Sequence, residues 1–138
     1  GQCRDPLTMA HAGTCPDIDG ASELRDWFGD WQSFHDAEVL EILVSVEKPS
    51  RIRVRTWKVS SAVDPAGHSA RTKQAIVSFE LRGVFGMELF EFGHQNVLGA
   101  LLLTSVEGGH RIEFEQLHGL GGWIAASEVT VSFTPESK

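Results

Sequence analysis

At 138 residues, 41% hydrophobic and 22% charged, the chain has ordinary globular composition and enough length for one domain with one core. A chain of this size buries roughly two-thirds of its unfolded surface, so it needs neither metal nor disulfide to be stable, and no apolar run approaches the roughly 18 residues of a spanning helix. The net charge of −7 has the wrong sign for a nucleic-acid-binding surface, so a soluble protein with neither nucleic acid nor membrane as partner is expected.

The opening segment, "GQCRDPLTMAHAGTCPD", has poor periodicity. Residues 1–16 are read as a flexible arm ahead of a single β-rich domain at 17–138. The chain starts on Gly1 rather than Met, which points to a tag scar or annotation excess and makes Met9 a candidate natural start. Cys3 and Cys15 fall in this stretch with no apolar leader ahead of them. Reduced thiols in a cytoplasmic protein are therefore expected, with an arm-closing disulfide only on export.

"GASELRDWFG" is the first element, a short helix with Asp19 or Ser22 as its N-cap and Gly29 at its end. Leu24, Trp27 and Phe28 make one apolar stripe. From Ala37 the pattern turns to period 2: Leu40, Ile42, Val44 and Val46 share one face, while Val39 and Leu43 make the other partly apolar. A central strand covered on both sides is expected. "KPSR" makes a turn, and in "RIRVRTWKV" Arg51, Arg53 and Arg55 alternate with Ile52 and Val54. Past Thr56 the apolar phase moves to Trp57 and Val59, which predicts a bulge; otherwise Trp57 stays beside Arg53 and Arg55 as an exposed comb. "SSAVDPAGHSARTK" reads as a loop.

"QAIVSFEL" and "VFGMELFEF" read as two strands separated at Arg82 and Gly83, "LGALLLTSV" as a buried strand, "EGGH" as a hairpin turn and "RIEFEQL" as an alternating strand. Trp123, Ala125, Ser127, Val129, Val131 and Phe133 form a last row expected to face inward. The whole predicts a mainly β (α+β) fold of about seven strands: a single antiparallel, sandwich-like sheet domain with one short N-terminal helix packed on it.

His35 and Asp36 carry side chains found in hydrolytic metal centres, and His94 in "FGHQNVL" adds another. The spacing of a closed site is missing, with no H-x-x-x-H and no C-x-x-C. A structural role at the helix-to-strand corner is the preferred reading, and Asn96 in "GHQNV" suits a tight bend. "GLGG" precedes a strand rather than opening a helix, so no dinucleotide loop is expected, and no G-x-S-x-G occurs. No catalytic, metal or cofactor-binding residue is assigned. The alternative is a small metal-dependent enzyme or ligand-binding β domain using His35, Asp36 and His94.

"ELRDWFGDWQSFHDAEVLEI", followed by "LFEFGHQNVL", resembles the bacterial immunity protein 50 family, found beside polymorphic toxins, over about Ile18 to Phe133. The resemblance rests on Phe34, His35, Asp36 and Glu38, and on His94, Gln95 and Asn96; Gln32 stands where the family pattern often has Pro. It implies a cytoplasmic antidote, not an enzyme, that occludes a cognate protein toxin. Asp17, Asp19, Glu23, Asp26, Asp30, Asp36, Glu38 and Glu41 crowd the N-terminal third, and between residues 17 and 41 they stand against Arg25 alone. That suits a basic, nuclease-type partner attracted at long range. Asp26, Asp30 and Glu41, or Arg53, Arg55 and Trp57, are the candidate partner-binding residues.

Overall fold

The computed structural model describes residues 15–63 and 69–136. One helix, α1 (Ala21–Phe28), precedes six strands: β1 (Glu38–Leu43), β2 (Ser50–Val63), β3 (Ser69–Phe90), β4 (Val97–Val106), β5 (Gly109–His118) and β6 (Gly121–Pro135). All neighbours are antiparallel, and the sheet closes into a barrel in the order β1-β2-β3-β6-β5-β4. The mainly β, antiparallel expectation with one short helix is met; the sheet curls on itself rather than forming a sandwich.

Strand count falls to six because Gly83 does not end a strand. At φ 68 it kinks β3, and the register against β6 shifts between Val84 and Gly86 while pairing continues to Phe90. The expected loop after Trp57 is also largely strand, with β2 running to Val63 and β3 starting at Ser69; residues 64–68 of that stretch lie outside the described residues. β1 is shorter than its pattern. A register shift between Val39 and Glu41 turns Val39 and Ile42 toward Val54 and Ile52. Beyond Leu43 the chain leaves the sheet, so Val44 and Val46 are exposed at 43% and 102%. The strand expected to be covered on both faces is therefore covered on one.

In β2, Ile52, Val54 and Thr56 all point inward and are buried, so the alternation holds through Trp57 and the irregularity comes later, between Lys58 and Val59. Trp57 thus stays on the outer face with Arg53 and Arg55, half-buried. In β6 the phase changes: Ile124 and Ala126 are buried on the inner side, Ser127 is exposed, and Val129 and Val131 are again buried. Ser127 Oγ donates to the carbonyls of Arg82 and Gly83, at 3.0 and 3.3 Å, opposite the β3 kink. Trp123 consequently lies outside the barrel, against expectation.

Helix α1 has no side-chain cap: its N-cap is Gly20, with φ 91. Asp19 instead gives its carbonyl to Val131 N at 2.9 Å, bridging to β6. The approach is so close that a Cβ on Gly20 would lie 1.8 Å from Val131 O. Gly29 closes the helix, its N–H donating to Arg25 O at 2.7 Å. Ala21, Leu24 and Phe28 are buried against the barrel, while Trp27 rests on Phe133 with ring centroids 5.3 Å apart. Cys15 is disulfide-bonded, in place of the reduced thiol expected; spacing along a chain carries no information on how close two sulfurs come in space. Cys3 lies outside the described residues.

Candidate functional site

The barrel closes through a corner, not a ladder. β1 and β4 share one register pair, Glu38 with Val97. The rest of the seam is backbone bonding by residues 33–39: Val39 N to Asn96 O (2.9 Å), Leu98 N to Ala37 O (2.9 Å), Asp36 N to Leu98 O (2.8 Å) and Leu101 N to Ser33 O (3.0 Å). To meet β4 this way the chain takes two left-handed non-glycine conformations, Phe34 at φ 64 and Asp36 at φ 66. Each costs on the order of 1–3 kcal/mol and persists only where the surroundings enforce it. Phe34 supplies that enforcement, its fully buried ring lying 5.8 Å from Trp31 and 5.9 Å from Phe79.

His35 is held from the side. Its Nδ1 lies 2.9 Å from Gly99 O, which assigns the proton to Nδ1, and its Nε2 lies 3.5 Å from Asp36 Oδ1. Both side chains are more than half exposed. Asn96 is the buried counterpart, 3% exposed. Its Oδ1 accepts from Gly93 N (3.0 Å) and Leu120 N (3.1 Å), and its Nδ2 donates to Gly93 O (2.8 Å). The amide thus pins the β3–β4 corner to the β5–β6 turn. His94 and Gln95 beside it are exposed.

The two stretches far apart in sequence therefore meet along one seam. Beside it is a small cavity of about 180 Å³ lined by Gln32, Ser33, Phe34, His35, Asp36, Thr56 and Trp57, which joins His35 and Asp36 to one of the outer-face candidates. A convergent metal cage does not form there: among the described residues no three His, Cys, Asp or Glu side chains come together. A larger open cleft of about 760 Å³ lies where the β1–β2 turn overhangs the outer sheet, with Leu43, Val44, Lys48, Arg51, Glu80 and Ser132 among its lining. Sequence reasoning missed it because Val44 was assigned to a covered strand.

The acidic candidates separate into two places and are largely compensated. Asp26 pairs with Arg25 at 3.0 Å, and Asp30 Oδ1 accepts the Trp31 N–H at 2.8 Å. On the barrel wall Glu41 lies 3.1 Å from Arg51 and 4.0 Å from Arg53, and Glu38 lies 3.4 Å from Arg55. Arg55 also bonds Glu136 at 3.1 Å, and Gln74 Nε2 donates to Glu136 at 2.8 Å. Those two bonds hold the Glu136 carboxyl below its ordinary range, and the bond to Glu136 raises the Arg55 guanidinium further. Arg53 and Arg55 are thus part of a charge ladder on the outer wall, next to Trp57.

No curated protein and no solved structure matches the chain. The family model for Immunity protein 50 matches residues 20–134, from the helix cap through β6 and across both stretches that meet at the seam. By that match, the chain belongs to the Immunity protein 50 family.

Proposed function

We propose that this protein binds a cognate bacterial toxin and neutralises it by covering a working surface, without chemistry of its own. The observation that carries this reading is the family match over residues 20–134. The geometry is consistent with it: His35 and Asp36 face each other across 3.5 Å on an exposed corner without a third convergent ligand among the described residues, while the closed barrel presents the outer faces of its strands. The net charge of −7 supports a toxin with a basic working face, of the kind that acts on nucleic acid, and supports fast electrostatically guided encounter with it.

The test is co-expression with candidate toxins, beginning with the product of any toxin gene found beside this one. The expected result is restored growth and a stable complex in stoichiometric amount by size-exclusion chromatography. Protection without a complex, or a complex in which the toxin stays fully active, removes the occlusion mechanism. The disulfide at Cys15 weighs against the cytoplasmic assignment, and the same cells test it: protection against toxin made without any export signal supports action in the cytoplasm, and protection only when both proteins are exported removes it.

A further inference from the structure

The phase change in β6 creates a surface that the sequence pattern hides. Around Trp123 the outer face of the barrel is a set of direct cross-strand rows: Glu88 opposite Trp123 opposite Glu113, then Gly86 opposite Ala125 opposite Arg111, with Phe90 opposite Gly121. Glycines leave room for the rings. A Cβ on Gly86 would lie 3.2 Å from the Trp123 ring, and one on Gly121 would lie 2.6 Å from the Phe90 ring. Both aromatic side chains thus pack close to the sheet, with Phe90 47% exposed.

Charge distinguishes this wall from the one around Glu38 and Glu41. There each carboxylate has an arginine; here Arg111 is stacked on Trp123, 4.6 Å from its centroid, and its NH2 lies 3.4 Å from Glu113 Oε2. Glu88 and Glu115 have no cation partner among the described residues. Glu88 lies two residues from Phe90 on the same face of β3, and Glu115 follows Glu113 on the same face of β5. The stack of Arg111 on Trp123 shows the geometry by which this wall receives a guanidinium: ring below, carboxylate beside. On the face of β3 that carries Phe90 the ring and the Glu88 carboxylate are present and the cation is not, while the Glu115 carboxylate leans toward β4, where a Cβ on Gly99 would lie 3.1 Å from its Oε1.

We propose that the outer face of β3, β6 and β5 around Phe90, Trp123, Glu88 and Glu115 is a docking surface for a protein segment bearing arginine. For the identity of that partner the proposal rests on the immunity reading; for the surface it does not. Its chemistry is an arginine stacked on Phe90 and held by Glu88, with neighbouring basic residues drawn by the uncompensated charge of Glu88 and, further across the wall, of Glu115.

The test is titration of the isotope-labelled full chain with a short alternating Arg-Gly peptide, followed by NMR, with a Gln-Gly peptide as control. The largest shifts are expected at the amides of Glu88, Phe90 and Gly121 and at the Trp123 indole N–H. A double variant, Glu88→Gln with Glu115→Gln, is expected to weaken binding at least tenfold. A second, Asp26→Asn with Glu41→Gln, removes the same charge elsewhere and is expected to change it less than twofold. Equal effects of the two pairs, or shifts centred on the helix and β1, overturn the proposal. Co-expression separates the two readings. A protective wild type whose Glu88, Glu115 variant protects equally well overturns the docking surface alone. A wild type that fails to protect, yet binds the peptide at Phe90 with the stated variant pattern, overturns the immunity reading and keeps the surface.

Discussion

Asn96 offers the sharpest test of how the seam is held. Its amide is buried and fully used, accepting from Gly93 N and Leu120 N and donating to Gly93 O. In Asn96→Ala the Leu120 N–H, on a residue with no exposure, loses its acceptor, at about 1–3 kcal/mol for a buried unsatisfied donor. The two bonds to Gly93 add about 1 kcal/mol together, since that backbone is partly reached by water. The expected loss is about 3 kcal/mol, which for a domain of this size lowers Tm by roughly 10 °C. Asn96→Asp adds a sign. Ionised, it sets a carboxylate oxygen against Gly93 O; protonated, it donates there as the native amide does. The folded state therefore raises the pKa of this carboxyl above its unfolded value of about 3.9. Below the unfolded pKa the protonated residue is as well accommodated as in the native chain; as pH rises through the folded pKa that accommodation is lost and stability falls. Urea unfolding across pH measures both. A midpoint for Asn96→Ala within about 0.5 kcal/mol of wild type, or an Asn96→Asp deficit that does not shrink as pH falls, refutes the reasoning.

Asp36 sits at φ 66, a conformation that glycine adopts freely and alanine does not, so Asp36→Gly is expected to match wild-type stability while Asp36→Ala falls about 1 kcal/mol below it; equal midpoints by thermal unfolding would remove the strain argument. Glu136 is depressed by its bonds to Arg55 and Gln74, so its contribution is present above the unfolded pKa and is lost as pH falls from about 4.5 through the lower folded value. Glu136→Gln should flatten that acid limb in pH-dependent unfolding, and an unchanged limb counts against the ladder. The disulfide at Cys15 predicts that alkylation of the unfolded, unreduced protein leaves Cys15 unmodified until reductant is added; ready labelling without reductant contradicts it.

Much of the fold was legible where one period ran undisturbed. Leu24 and Phe28 recur at helical spacing and both are buried; Ile52 and Val54 alternate and both point inward. What misled the pattern was irregular backbone. A shift at Leu40 moved Val39 and Ile42 to the core, and the kink at Gly83 kept β3 whole. The same kink, with Ser127 opposite it, turned Trp123 outward. Nothing in a row of alternating residues marks such a place except a small residue, and Gly83 was read as a strand break for that reason. Charge was misread for a related cause. Glu41 has no basic residue near it in sequence, yet Arg51 and Arg53 lie across the β1–β2 hairpin. A carboxylate cluster counted along the chain is therefore not a cluster on the surface.

The seam also limits where recognition can lie. Phe34 is buried, Asn96 commits its whole amide to two corners, and Ser33 and Ala37 give their carbonyls to β4. These residues close the barrel, and a partner cannot use groups already bonded within the fold. Of the residues that carry the resemblance, His35, Asp36, His94 and Gln95 keep exposed side chains. His35 in turn is tied at Nδ1 to Gly99 O, leaving Nε2 and Asp36 at the rim of the small cavity with Trp57. A surface that small can orient a partner but buries too little to hold one, since stable interfaces bury roughly 800 Å² on each side. Most of the contact must then come from the barrel walls. There the aromatic and uncompensated acidic residues of β3, β5 and β6 differ from the self-neutralised ladder of β1 and β2, and on that difference the proposed docking surface rests.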